Sequence, residues 1–369
     1  MRVSRLAKTS ALLVVAGALV AACGGSSSSS SSSSSTAASA APAASAAAGS
    51  DLSGNLTFVS WGGAYQDAQT KAMVDTFAAA NPGVTLAQDG PTDYAKISQM
   101  VQSGNVTWDV VDTDPFYPLG KCGTEAEKLD FTVIDKTNLI QELVSDCSVP
   151  SMTYSYVLMY NKDKYGANPP KNWADFFDTT KFPGKRALNN AAAGGGFEAA
   201  LMADGVEPAS LYPIDYKRAF KKLDSLGDNL VFWDTGAQSQ TMMENGEVDM
   251  LLAWNGRAYN AAVNGSKFVP AWDQNIVVYD VFMIPKGAPN KDLAMKFIAD
   301  AVSPEPQGIL QSTIPYGAIN TQAPASTGDA LFQTFLPTSH IAEGVVQDQQ
   351  WWADNQDEAT KQWTAWTAG

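Results

Sequence analysis

Two short stretches carry the most suggestive side chains of the sequence. In "TFVSWGGAYQDAQ" an apolar, strand-like run ends on Trp61, and Gly62 and Gly63 follow before a helix-like pattern begins. In "VDMLLAWNGR" a second such run ends on Trp254, with Gly256 and Arg257 close behind. Glycine lets backbone approach a ligand, a helix start offers free N–H groups, and an indole supplies a flat wall that attracts cations. This is equipment for capture. Covalent chemistry has little to draw on, because the chain has one histidine, His340, and no Cys/His cluster of the kind zinc needs. The "AAAGGG" run lacks the Gly-Lys-Ser/Thr ending of a phosphate loop. No metal and no cofactor are expected. A secreted carboxylate-pair hydrolase is the remaining enzymatic reading, since acids are plentiful and tryptophans suit sugars, yet no acidic pair carries such a signature. An adhesin would need neither the glycine–indole junctions nor a hinge.

The elements that must position these residues alternate between strand-like and helix-like patterns, which predicts an α/β fold with largely parallel sheets. "NLTFVSW", "GVTLAQDG", "TWDVVDTD", "TYSYVLMYN", "GKRALNN", "NLVFWDTG", "VDMLLAWNGR" and "NIVVYDVFMIPKG" read as strands. Helical periods cover Asp67 to Ala80, "YAKISQMVQSG" up to Gly104, Tyr216 to Gly227, Lys291 to Ala301 and the final "QQWWADNQDEATKQWTAW". Several strands stop at Trp, Gly, Asp or Thr just ahead of a helix. In open α/β sheets the carboxyl ends of strands form the crevice that holds ligands.

The amino terminus predicts export. Arg2, Arg5 and Lys8 precede an apolar run from Ala11 to Ala22, the pattern of a secretory signal peptide over residues 1–22. That run ends in "VAAC" and resembles a bacterial lipobox, with cleavage before Cys23 and lipidation of its thiol; an ordinary signal peptide with a chance cysteine is the alternative. Residues 23–50, rich in serine and alanine, read as a flexible tether. Removing the three signal cations takes the formal charge from -14 to about -17. Such a surface argues against nucleic acid or an anionic membrane as partner. Cys122 and Cys147 remain. In an exported chain a disulfide is the economical reading, and two buried free thiols are the alternative.

In one order the chain contains "SWGGAYQDAQ", "WDVVDTDPF", "NWADFFD", "KFPGKRAL", "GEVDMLLAWNG", "YDVFMIPKGAPNKDLAMKFI" and "IPYGAIN". Together they resemble the extracellular solute-binding proteins of bacterial ABC importers, specifically the spermidine/putrescine-binding group. The resemblance implies a two-lobed periplasmic-binding-protein fold of type II with a ligand cleft between the lobes. Lobe 1 would comprise residues 51–149 plus 255–313, and lobe 2 residues 150–254 plus 314–369. It further implies a small solute carrying an amine, ABC permease subunits as partners, a monomer, and a lipid-anchored location on the outer face of the cytoplasmic membrane. No catalytic residue is implied.

The family's ligand positions fall on Trp61, Tyr65, Thr113, Thr235, Trp254, Asp280 and Tyr316, with Asp280 as the carboxylate that holds an amino group. Three departures stand out. Where polyamine binders carry acids after a second-lobe strand, this chain has Asn189, Asn190 and then Ala191 to Gly196; the indole that partners the Asp280-type carboxylate is replaced around Val278 and Tyr279; and where they carry polar side chains beside the first tryptophan, it has Gly62 and Gly63. Arg257 facing a ligand carboxylate would favour a γ-amino acid over a diamine; an interlobe salt bridge is the competing role. A phosphonate or a sugar are the other solutes considered. Lys185 and Arg186 are expected in solvent, and Met242, Met243, Trp351 and Trp352 in the core.

Overall fold

The computed structural model describes residues 51–369. The expected signal peptide, Cys23 and the expected tether lie outside the described residues. Nine strands form one mixed sheet: β1 (Ser53–Val59), β2 (Gly83–Asp89), β3 (Val110–Thr113), β4 (Val149–Asn161), β5 (Arg186–Asn189), β6 (Leu230–Trp233), β7 (Met250–Trp254), β8 (Phe268–Met283) and β9 (Val345–Val346). Their order is β2-β1-β3-β8-β4-β7-β5-β6, with β9 on β8. Strands β2, β1 and β3 are mutually parallel, as are β7, β5 and β6. Each predicted strand is present at its place, in agreement with the α/β expectation.

The two parallel groups are joined by the long antiparallel pair β4–β8. β3 adds to β8 only at Val281–Met283, while β7 pairs with β4 at Tyr156–Tyr160. The crossing therefore runs through the middle of β4 and β8. The helix Asn255–Val263, which follows β7 directly, packs on the helix Gly236–Asn245 and so stays with the β7 group. The helical run behind Gly62 spans Gly63–Gln69, a π turn at Thr70–Val74, and Asp75–Ala80.

Burial follows the alternation of the strands. The predicted core residues Met242, Met243 and Trp352 are buried, and the indole of Trp352 donates to Glu198 Oε1 at 3.0 Å. Arg186 corrects the expectation of solvation: it is fully buried. Its guanidinium donates to the carbonyls of Phe176 and Gly184, each at 2.8 Å, and also to that of Phe182. A planar fork with five N–H donors can satisfy several loop carbonyls at once, and that makes burial tolerable.

Cys122 and Cys147 form a disulfide with Cα atoms 5.5 Å apart, closing a loop with a sequence separation of 25. Loop closure of this length stabilises by about 3 kcal/mol in the chain-entropy model. Replacing both residues by serine should lower the unfolding free energy by about that amount, read as a lower urea midpoint with an otherwise similar slope. An unchanged midpoint would show that the bridge does not restrain the unfolded chain.

Candidate functional site

The carboxyl ends of five strands open into one cavity of about 470 Å³. β1 delivers Trp61, β3 Asp114, β5 Asn189 and Asn190, β6 Asp234 and Thr235, and β7 Trp254. The crossing strands build the floor: β4 contributes Met152, Tyr154 and Tyr156, which alternate onto one face, and β8 contributes Asp280 directly opposite Met152. Of the residues expected from sequence, Trp61, Tyr65, Thr235, Trp254, Arg257, Asp280 and Tyr316 all line this cavity. Thr113 does not line it; the last residue of β3 is fully buried, and Asp114 takes the lining place one residue on. Tyr94, Tyr154 and Tyr156 were not expected there. The spacing in "TYSYV", two aromatics on alternate residues of a strand, is the signal that could have found the last two.

Aromatic rings wall the space. Trp61 meets Tyr94 edge-on at 6.2 Å between centroids, Tyr65 meets Tyr316 at 5.3 Å, and Tyr154 bridges Trp254 at 6.4 Å and Tyr316 at 5.9 Å. Two glycines let charged and aromatic groups close in. A Cβ on Gly63, which sits at φ 55°, would lie 2.6 Å from Arg257 Nη1; one on Gly236 would lie 2.5 Å from Trp254 Cζ3 and 2.8 Å from Arg257 Nε. Both positions exclude any side chain while Arg257 and Trp254 hold their places.

The polar groups facing the cavity are under-supplied with partners. Asp280 is 2% exposed, and burial, reinforced by the charges of Asp112 and Asp114, pushes its pKa well above the usual carboxylate range. Trp61 and Tyr154 sit near enough to oppose that shift, yet Asp280 Oδ1 and Trp61 Nε1 have no hydrogen-bond partner. Asp112 lies beneath, raised to about 7 by burial against the pull of hydrogen bonds from its neighbours. Asp114, raised to about 6 by burial, accepts from the Tyr94 hydroxyl.

Arg257 enters from the opposite group of strands. It is 5% exposed, donates from Nη2 to the Gly62 carbonyl at 2.8 Å, and leaves Nε unpartnered. No carboxylate among the described residues comes within ion-pair distance of its guanidinium. The competing expectation, an interlobe salt bridge, is thus replaced by a hydrogen bond to backbone. Trp254 Nε1 is also buried without a partner. Oxygen acceptors on one wall and N–H donors on another await a solute that carries both complements.

An aromatic-walled cavity at the strand ends of two sheet halves, with polar groups left open to it, is built to enclose a small solute. Residues 72–334 match the family described as bacterial extracellular solute-binding protein. The γ-aminobutyric acid-binding protein of Pseudomonas aeruginosa is 35% identical over 325 residues, covering 86% of this chain and 92% of that one. The chain belongs to the bacterial extracellular solute-binding protein family. A spermidine/putrescine-binding periplasmic protein of Escherichia coli is 26% identical over 181 residues, 48% of this chain and 51% of its own. Among solved structures, the Atu4243–GABA receptor is 43% identical with a TM-score of 0.77, covering 85% of this chain and 97% of that one. The binding protein AgtB of A. tumefaciens R10, in complex with agropinic acid, is 36% identical with a TM-score of 0.78, covering 86% and 100%. The chain shares their two-lobed periplasmic-binding-protein fold. These relatives are transport binding proteins, not enzymes, and no helix among the described residues is long and apolar enough to cross a membrane.

Asn255, between Trp254 and Gly256, holds the site together without touching the cavity. It is fully buried. Its Oδ1 accepts from Ser155 N at 2.9 Å, and its Nδ2 donates to the carbonyls of Pro315 at 2.6 Å and Phe335 at 3.0 Å. Each buried group left unsatisfied costs about 1–3 kcal/mol. Asn255→Ala strands three of them, and should lower stability by about 3 kcal/mol in denaturant unfolding; a loss below about 1 kcal/mol would show that water replaces the amide.

Proposed function

We propose that this chain captures a γ-amino acid, γ-aminobutyrate in the first instance, and delivers it to an ABC permease pair driven by a separate ATPase. The observation that carries this reading is the pairing, in one cavity, of an unpartnered Asp280 oxygen with an Arg257 that has no acid partner. The ligand's ammonium group would meet Asp280 between Trp61 and Tyr154, and its carboxylate would meet the Arg257 fork and the Trp254 indole. Charge-assisted hydrogen bonds of this kind contribute about 1.5–3 kcal/mol each, and a desolvated cation–π contact about 2 kcal/mol. Three or four of them reach the roughly -8 kcal/mol of micromolar binding. The names of the relatives from P. aeruginosa and of the Atu4243 receptor point the same way.

A diamine such as putrescine is the second reading, and Asp234 favours it. Its carboxylate lines the far end of the cavity, held by Asn190 Nδ2 at 2.9 Å, and offers a distant ammonium the anchor that Asn189 and Asn190 alone lack. A phosphonate fits poorly against so many acids. For closure, we place the lobe boundaries inside β4 and β8, so that the helix Asn255–Val263 carries Arg257 with the second lobe instead of the first.

Calorimetry should give micromolar or tighter binding of γ-aminobutyrate. Asp280→Ala should weaken it by about 10- to 150-fold, the equivalent of one charge-assisted bond. Arg257→Met should weaken γ-aminobutyrate at least tenfold while leaving putrescine unchanged or tighter. Tighter binding of putrescine by the unaltered protein would overturn the γ-amino acid reading, and binding of sugars alone would overturn the amine reading altogether.

The mature protein, in this proposal, is a monomer anchored through lipid on Cys23 at the outer face of the cytoplasmic membrane. Expressed in a bacterial host, it should sediment with membranes, and Cys23→Ser should release it in soluble form. A Cys23→Ser protein that stays with the membrane would count against the anchor.

A further inference from the structure

Asp112 is an acid the ligand does not reach. It is fully buried on β3 and absent from the cavity lining, and both oxygens of its carboxylate have donors: Gln69 Nε2 at 2.7 Å and Ser151 Oγ at 2.8 Å. Asp280 faces the cavity with Oδ1 unpartnered. The groups acting on Asp280 are Asp112 and Asp114 from β3, Tyr154 and Tyr156 from β4, Trp61 ahead of the first helix, Tyr65 within it, Tyr94 at the start of the helix Tyr94–Ser103 and Tyr316 beyond the helix Pro304–Thr313. The cation lining the cavity, Arg257, is engaged with the Gly62 carbonyl across the cleft.

Asp112 stands opposite Phe282, two residues along β8 from Asp280 and on the same face of the sheet, and two buried carboxylates so placed do not both carry charge without a cation beside them. The hydrogen-bond donors decide between them: Gln69 and Ser151 donate to both oxygens of Asp112 and favour its charged form, whereas Trp61 and Tyr154 only approach Asp280 and leave its Oδ1 without a partner. Burial raises both carboxyls above the usual carboxylate range.

We infer that Asp112 is a specificity-determining residue that acts through Asp280: it keeps Asp280 protonated in the empty cleft, so that a ligand's ammonium group enters in exchange for that proton. The inference rests on the reading that an ammonium group sits against Asp280. The exchange balances: the O–H bond of Asp280 breaks, its electron pair stays on the carboxylate, the proton goes to solvent, and the incoming ammonium keeps its own three protons. The charge beside Asp280 is unchanged, because the ammonium takes the place of the proton. A neutral solute brings no charge to replace the proton, and finds a hydroxyl donor at Asp280 where an amine needs an acceptor. Asp112 thus selects for cationic groups without contacting them.

The sign follows from the exchange. Below the pH at which Asp280 titrates in the empty cleft, binding releases one proton, and affinity rises tenfold per pH unit; above it, affinity is flat.

Infrared difference spectra of the ligand-free protein test where the proton lies. At pH 7 they should contain a protonated-carboxyl band that is missing from Asp280→Asn. Asp112→Asn should move the titration of that band down by at least one pH unit. Ser151→Ala, a milder change that removes one donor from Asp112, should move it in the same direction by less, and serves if the first variant does not fold. Adding γ-aminobutyrate should abolish the band, with about one proton released per ligand when calorimetry in two buffers of different ionisation heat is compared. No band at pH 7, binding without proton release, or a midpoint unmoved in a folded variant would overturn the inference. Failure of γ-aminobutyrate to bind would instead count against the ligand assignment, since the band reports on the empty cleft.

Discussion

A carboxylate buried in a sheet without a cation beside it costs several kcal/mol, and the rest of the cleft is arranged around one such group. Asp280 sits on β8, paired with Met152 of β4 and one residue beyond the β3 pairing at Val281, and that register fixes its position. Its register opposite Met152 sets it level with the end of β3, and Asp112 and Asp114 follow from that alignment. The aromatic wall of Trp61, Tyr65, Tyr154 and Tyr316 keeps bulk water away and so strengthens every charge interaction inside. An empty cleft of this kind stores an electrostatic deficit. A ligand with the right charges relieves it, which turns a cost of folding into a source of affinity.

The sequence was most informative where local pattern and function coincide. A β-branched, apolar run stopping at an indole and a glycine has few local explanations, and Trp61 and Trp254 both proved to be cavity walls. Asp280 and Tyr316 needed the family resemblance, because nothing in "VVYDVFM" or "IPYGAIN" distinguishes a ligand-facing residue from a scaffold one. Thr113 shows the limit of such transfer. A strand residue and its successor face different surroundings, so a displacement of one position replaces a lining carboxylate, Asp114, by a buried hydroxyl.

Other misses have tertiary causes. Arg186 was read as solvated because arginine is seldom buried, but the loop formed by Phe176, Phe182 and Gly184 presents carbonyls that only a fork of donors could satisfy together. The helices Gly196–Ala203 and Asn255–Val263 were hidden by glycines at their starts, in "AAAGGG" and "WNGR", which read locally as turns. In both cases glycine marks a close approach, to the Trp363 ring at Gly196 and to Tyr316 at Gly256. Tyr94 opens a helix and gave no local sign of its place beside Trp61.

Arg257 shows why the two walls of the cleft need different chemistry. A lysine there could satisfy the Gly62 carbonyl or a ligand carboxylate, but its single nitrogen would have to serve both. The guanidinium divides the work: Nη2 reaches across to Gly62, and Nε remains free beside Trp254 Nε1. That arrangement survives only because Gly63 and Gly236 leave room on either side of the fork. In the proposed binding mode closure and recognition would share one side chain. A ligand carboxylate on the free edge of Arg257 would also steady its bond to Gly62, so that the energy of recognition would hold the two halves of the sheet together.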